Sequence, residues 1–229
     1  DLPKLVVSEV AYNPEALSAA EATAGFTDSD QFEYVEIHNV GPTAADLDAI
    51  ALRGGIHFDF ASGSITSLAA GARLLVVADP TAFEARHGAA LPVAGTYAGS
   101  LRNSGDKIVL KDTSLDLDLQ NFTYNDGRGW PLAADGGGHS LVPLYDTLQL
   151  VGLSDLNYSG NWRASPYSGG SPGVEDPTLP PSLMINELTA HTDTGQAAPF
   201  DSNDSIELHN PTDASFALDQ HGGKRLRHP

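Results

Sequence analysis

The chain has 229 residues, 12 basic against 30 acidic, for a formal net charge of −18. Such a surface repels nucleic acid, whose affinity rests on Lys and Arg at phosphates, and disfavours anionic membranes; it suits hard cations that take carboxylate oxygens. With no cysteine, disulfides, zinc–thiolate sites and thiol catalysis are excluded, and no apolar run approaches the ~18 residues of a spanning helix, so no membrane insertion is expected.

Hydrophobic residues make up 41%, enough for a core, and 23 glycines with 15 prolines favour many short strands and turns. In chain order, Leu5 to Tyr12 reads as a strand ended by Asn13-Pro14. Residues 15–24 suit a short helix inside a loop that ends in Asp28-Ser29-Asp30. Phe32 to Asn39 is the second strand, and Gly41-Pro42 turns the chain. Two strands follow around Gly54-Gly55, from Asp46 to Arg53 and from Ile56 to Phe60. Arg73 to Ala78 is a strand that is apolar after its first residue. It leads into a short helix with Asp79 as N-cap, Pro80 at the first position and Gly88 just past the end. Later strands are expected at Lys107–Asp112, Leu119–Asn125 and His139–Tyr145. The spacing suggests a sandwich or barrel.

A proline-rich stretch, residues 172–181, reads as a linker. Beyond it the opening of the chain repeats. Leu5-Val6-Val7-Ser8-Glu9-Val10 matches Leu183-Met184-Ile185-Asn186-Glu187-Leu188, and Glu36-Ile37-His38-Asn39 matches Glu207-Leu208-His209-Asn210. Between these blocks each copy holds an acidic loop, Asp28-Ser29-Asp30 in one and Asp201-Ser202-Asn203-Asp204 in the other. Leu47-Asp48 matches Leu218-Asp219. The second copy is expected to be incomplete. Its basic end, residues 224–229, matches no strand and is expected to be a truncated, frame-shifted or vector-derived tail. The opening Asp1 suggests a removed signal peptide.

Several landmarks together resemble the bacterial form of the lamin-tail domain family. They are Val7-Ser8-Glu9-Val10, Tyr34 to Asn39 and Asp46-Leu47-Asp48, then Asp79-Pro80, Gly99-Ser100-Leu101 and Phe122 to Asp126. Trp130-Pro131, Asp135 to Leu141, Asn161-Trp162-Arg163 and Gly170-Ser171-Pro172-Gly173 complete the order. The resemblance implies an immunoglobulin-like β-sandwich and a non-catalytic module of exported or surface bacterial proteins. The expected fold is therefore an all-β, immunoglobulin-like sandwich with one short helix over residues 1–171. A linker over 172–181 and an incomplete second repeat over 182–229 are expected to follow.

Several clusters carry candidate chemistry. Glu9, Asp28, Asp30 and Glu36 recur as Glu187, Asp201, Asp204 and Glu207, which suggests a calcium site pinning the acidic loop; the bland alternative is carboxylates bonded to turn backbone. Gly169-Gly170-Ser171-Pro172-Gly173 fits the hydrolase elbow G-x-S-x-G but lacks the strand before it and the helix after it. Asp135, His139 and Ser140 lie together in sequence, where three glycines better suit a positive-φ turn. His38 and His209 recur in matched strands, and Trp130 and Trp162 suit core or rim packing over carbohydrate stacking.

The expected function is a structural or binding module of an extracellular or cell-envelope protein, stabilised by Ca²⁺. Its expected partner is a protein or an extracellular surface, with no role in nucleic-acid binding. Two alternatives are a metal-dependent hydrolase using the acidic loop and a carbohydrate- or surface-binding adhesin. Two lone strands cannot bury a sandwich core, so residues 182–229 are expected to be disordered or docked on another sheet. A homodimer through their unpaired strands is one such arrangement.

Overall fold

The computed structural model describes residues 2–127, 129–144, 154–178, 184–189 and 205–210. The chain divides into two compact units, 1–177 and 178–229. In the first, β1 (Leu5–Ala11) is followed by α1 (Ala19–Ala24), β2 (Tyr34–Asn39), β3 (Ala45–Asp46), β4 (Ile50–Gly54), β5 (Ile56–Asp59) and β6 (Ser67–Leu68). Then come β7 (Arg73–Val77), α2 (Pro80–His87), β8 (Val93–Thr96), β9 (Ala98–Gly99), β10 (Lys107–Asp112), β11 (Leu117–Thr123), β12 (Leu141–Pro143) and β13 (Trp162–Ala164). This is an all-β sandwich. Its first sheet has the order β13-β12-β1-β2-β7-β8, its second β11-β10-β4-β5-β9, and β3 pairs with β6.

Alternation explains the sandwich. Along β2, Val35 and Ile37 point to one face and Tyr34, Glu36 and His38 to the other. The first set joins Val7, Val10, Leu52, Leu110 and Phe122 in one core drawn from both sheets. At β1 the ladder with β2 shifts register between Val7 and Glu9, and the bulge leaves the Val7 N–H to find a partner. Gln120 of β11 supplies it, accepting that N–H at 2.6 Å in the interior.

The second face of the six-stranded sheet is also covered. Tyr34, Leu75 and Val77 pack with Phe83 of α2, a side chain whose full burial is worth about 1.5–3 kcal/mol. Asp79 caps α2 by accepting from Thr81 and Ala82, with Pro80 leading the helix. Two helices are present among the described residues, α1 inside the stretch 15–24 and α2 after Asp79, where the sequence suits both. α1 starts at Ala19 because Ser18 and Glu21 form a reciprocal capping box.

In the second unit, β14 (Met184–Thr189) pairs with β15 (Ser205–His209). This ladder repeats that of β1 and β2. Ile185 faces Leu208 as Val7 faces Ile37, Glu187 faces Glu207 as Glu9 faces Glu36, and the register shift falls at the same place. Asn186 donates to Glu207 as Ser8 donates to Glu36. Burial differs. Val7, Val10, Val35 and Ile37 are fully buried, whereas Ile185, Leu188, Ile206 and Leu208 are 64%, 66%, 61% and 46% exposed. The acidic loop of this copy, the Leu218-Asp219 match and the basic run 224–229 lie outside the described residues, as does most of the segment expected to dock or dimerise.

Candidate functional site

The strongest concentration of buried polar groups lies on the outer face of the six-stranded sheet, under the loop 169–173. Glu9 of β1 and Glu36 of β2 are cross-strand neighbours, each about 1% exposed. Glu9 Oε1 accepts from Tyr34 Oη at 2.7 Å, from the Ser171 N–H at 2.9 Å and from Ser140 Oγ. Its Oε2 is buried with no hydrogen-bond partner among the described residues. Glu36 Oε1 accepts from Ser8 Oγ at 2.6 Å, and Oε2 accepts from the Gly173 N–H at 2.6 Å. Arg73 Nε stands 3.1 Å from Glu36 Oε1 as a charge partner, but its N–H is not aimed to make a hydrogen bond.

Burial dominates the electrostatics. It raises the Glu9 carboxyl above its ordinary value, against the pull of hydrogen bonds from Ser140, Tyr34 and Ser171. Burial, and then the neighbouring Glu9 charge, push Glu36 up to about 8. Two carboxylates so close and so dry resist joint ionisation.

The loop over them admits only glycine at one position. Gly170 has φ +78°, and a Cβ there would fall 2.1 Å from both Glu9 Oε1 and Tyr34 Oη. The same loop is tied further on, where Tyr34 Oη reaches the Gly169 carbonyl at 3.0 Å and Ser171 Oγ donates to Asp176. Arg163 of β13 pairs with the Asp176 carboxylate and donates to its carbonyl. Thus residues 173–176, read from sequence as linker, are bonded to the sandwich.

The four carboxylates expected to share calcium do not assemble. Glu9 and Glu36 meet, while Asp28 caps a short 3₁₀ turn, accepting from the Asp30 N–H at 3.1 Å. Asp30 is raised by partial burial and by Asp28. The carboxylate that feels these two aspartates is Glu33, pushed up to about 8 chiefly by burial and bonded to Tyr97 Oη at 2.6 Å. Among the described residues no three His, Asp or Glu side chains gather where they could hold a metal ion. At Glu9 and Glu36, moreover, N–H and O–H donors engage three of the four carboxylate oxygens, and the one left over, Glu9 Oε2, falls far short of the six to eight oxygens calcium takes.

The other candidates also resolve into separate contacts. Ser171 is bonded to Asp176 rather than to a histidine. Asp135 accepts from Asn13 at 2.7 Å, His139 Nδ1 pairs with the Ser165 carbonyl at 2.8 Å, and Ser140 serves Glu9. Gly136 and Gly138 have positive φ, as the turn requires. His38 lies buried beside Arg73, its pKa lowered to about 4 first by desolvation and then by that charge, while His209 is exposed on β15. Trp162 is buried and donates to the Leu156 carbonyl at 2.8 Å. Trp130 stacks on it with ring centroids 6.0 Å apart.

Sequence reasoning missed Glu33, Tyr34, Arg73 and Asp176 as members of these networks. The polar face of β2 was a legible signal, since a strand with Tyr, Glu and His on one side needs either water or a polar cover. Compared with models of known protein families, with curated proteins and with solved structures, the chain matches none of them.

Proposed function

We propose that the chain is a non-catalytic structural or binding module of an exported or surface bacterial protein, with a lamin-tail-like, immunoglobulin-type first domain and part of a second copy. The observation that carries this reading is the convergence of Glu9, Glu36, Ser140 and Gly170–Gly173 on one buried cluster. These residues come from four separate landmark blocks of the resemblance. Each has a task in closing the domain, and their polar atoms face one another and the loop backbone. The repeated ladder of β14 and β15 supports the second copy. The acidic charge fits an extracellular or envelope protein that meets a protein or surface partner.

The test is a set of ester, phosphate-ester, glycoside and peptide hydrolysis assays on wild type and Glu9→Gln, with melting temperatures measured in parallel. The expected result is no turnover in either protein and a lower melting temperature in the variant. Wild-type turnover that Glu9→Gln abolishes at an unchanged melting temperature would overturn the reading. Turnover lost to a chelator would favour the metal-dependent hydrolase. Retention on a glycan matrix that disappears in Trp130→Ala would favour the carbohydrate-binding adhesin.

A further inference from the structure

A second feature lies away from the Glu9–Glu36 cluster. The sandwich carries a cleft of about 1240 Å³ between the start of β1, the segment running through β3 to β4, and β11. Leu2, Leu117 and Leu119 line it; the first two are 49% and 39% exposed, large apolar side chains left open to water. Four aspartates stand on the same cleft, Asp46, Asp48, Asp112 and Asp118, against one cation among the lining residues, Lys4. Lys111 partly offsets Asp118. Asp112 is held below its ordinary value, first by the Ser114 hydroxyl, and so carries its charge. Asp46 and Asp48 are exposed, and neither forms an ion pair among the described residues.

The cleft also borders an open sheet edge. β11 is the last strand of its sheet and, among the described residues, pairs only with β10. Its other edge is taken at Thr123, whose N–H donates to Asn157 Oδ1 at 2.8 Å, while among the described residues no strand pairs beside Leu117 to Leu119; a sheet edge of this kind is one that proteins normally cover or use. The part of β11 that lines the cleft, Leu117 to Leu119, includes two of its three apolar side chains.

We propose that this cleft binds an extended peptide segment of alternating apolar and cationic side chains. Its main chain would lie along the edge of β11, its apolar side chains on Leu2, Leu117 and Leu119, and its cations against Asp46 and Asp48. The alternation follows from the period of two along a strand, which sends one set of side chains to the floor and the other to the rim. This names a partner chemistry for the binding module proposed above. It can fail while that reading stands, because the hydrolysis assays and the closing loop do not involve this cleft.

The experiment is fluorescence anisotropy of the full chain with labelled octapeptides: alternating Lys and Val, alternating Glu and Val, and Lys alone. The Lys–Val peptide is expected to bind saturably, more weakly in ~1 M salt, where the screening length falls to ~3 Å. The Glu–Val peptide is expected not to bind. Asp46→Asn with Asp48→Asn should weaken Lys–Val binding about fivefold, as two exposed charge contacts would. Leu117→Ser should weaken it by a similar factor through the floor. All three positions are exposed, and unchanged melting temperatures would confirm that the variants fold. Equal binding of the Lys-only peptide would reduce the cleft to a diffuse acidic patch and overturn the proposal. Affinity within twofold of wild type in both variants, or no binding of the Lys–Val peptide, would overturn it as well.

Discussion

Glu9 and Glu36 face each other across the β1–β2 ladder, and each accepts a backbone N–H from the same short loop, Ser171 for one and Gly173 for the other. The pair therefore acts as a two-point anchor for a segment distant in sequence. The energetic cost of burying two carboxyls is offset by donors from Ser8, Tyr34 and Ser140.

Stability should fall as pH rises above neutrality. Glu33 and Glu36 titrate near 8 when folded, against an ordinary value of 4.5, so the folded state holds their protons longer than the unfolded chain. Their contribution is complete below 4.5 and is lost as pH rises toward 8. His38 and His87 act oppositely. Burial lowers both to about 4, so stability is gained as pH rises from there to 6.5. The two effects compete below 6.5, and above it only the glutamates remain. Melting temperature should therefore hold roughly level in the acidic range and drop between 6.5 and 8. The Glu33→Gln, Glu36→Gln double variant should show a smaller alkaline drop, with Glu9 as the remaining raised carboxyl of the buried pair. A melting curve that rises over the same interval would contradict the assignment.

Gly170→Ala should destabilise by roughly 3 kcal/mol or more, from strain at positive φ together with a steric clash against Glu9 and Tyr34. Gly71→Ala is the control, because Gly71 also has positive φ but a Cβ there would meet nothing within 4 Å. It should cost only about 1 kcal/mol. Urea denaturation of both variants separates the two contributions, and equal losses would mean that the loop does not sit on the carboxylates.

A chain ending at Pro177 keeps the loop and its Arg163–Asp176 tie, whereas one ending at Ser168 lacks both. The first should melt cooperatively and the second several degrees lower, with tryptophan emission shifted to the red. Matching melts for the two lengths would show that the loop is ornamental.

Gln120→Ala should cost about 1–3 kcal/mol, since it strands the buried Val7 N–H at the bulge. Hydrogen exchange at Val7 should accelerate more than at Val35, which lies in a regular stretch of the ladder. Uniform acceleration would place the loss elsewhere.

Calcium should leave the melt of the chain ending at Pro177 unchanged, because Glu9 and Glu36 meet in one network while Asp28 and Asp30 lie in another. An ion bound only to the native state at ~100 times its dissociation constant would add about 2.7 kcal/mol, a shift of several degrees. A shift of that size, reversed by chelator, would restore a metal site.

Much of the sandwich was legible in the sequence. The alternation in Phe32–Asn39 and the apolar run of Arg73–Ala78 gave β2 and β7, and Asp79, Pro80 and Gly88 marked α2 to the residue. Short strands such as β6, β8, β9 and β13 escaped, because pairings of two to four residues carry no period. The Glu9–Glu36 pairing was half visible. Both glutamates stood out by recurrence, but recurrence does not report what covers them. Their cover comes from residues 140 and 169–173, far along the chain. A glutamate on a strand face looks alike whether water or a distant loop lies above it, so the backbone amides of Ser171 and Gly173 that reach the pair could not be read from the strands.

The Ser171 N–H that reaches Glu9 comes 162 residues after it. As the chain leaves the ribosome, β1 and β2 are made early, yet the pieces that neutralise their polar face arrive at the very end of the unit. Until Gly173 has emerged the two carboxyls of a nascent chain stay hydrated and their buried network cannot close. Long-range closure of this kind folds slowly. The unit stays open until its last residues are in place, so the late arrival of its own lock works as a timer.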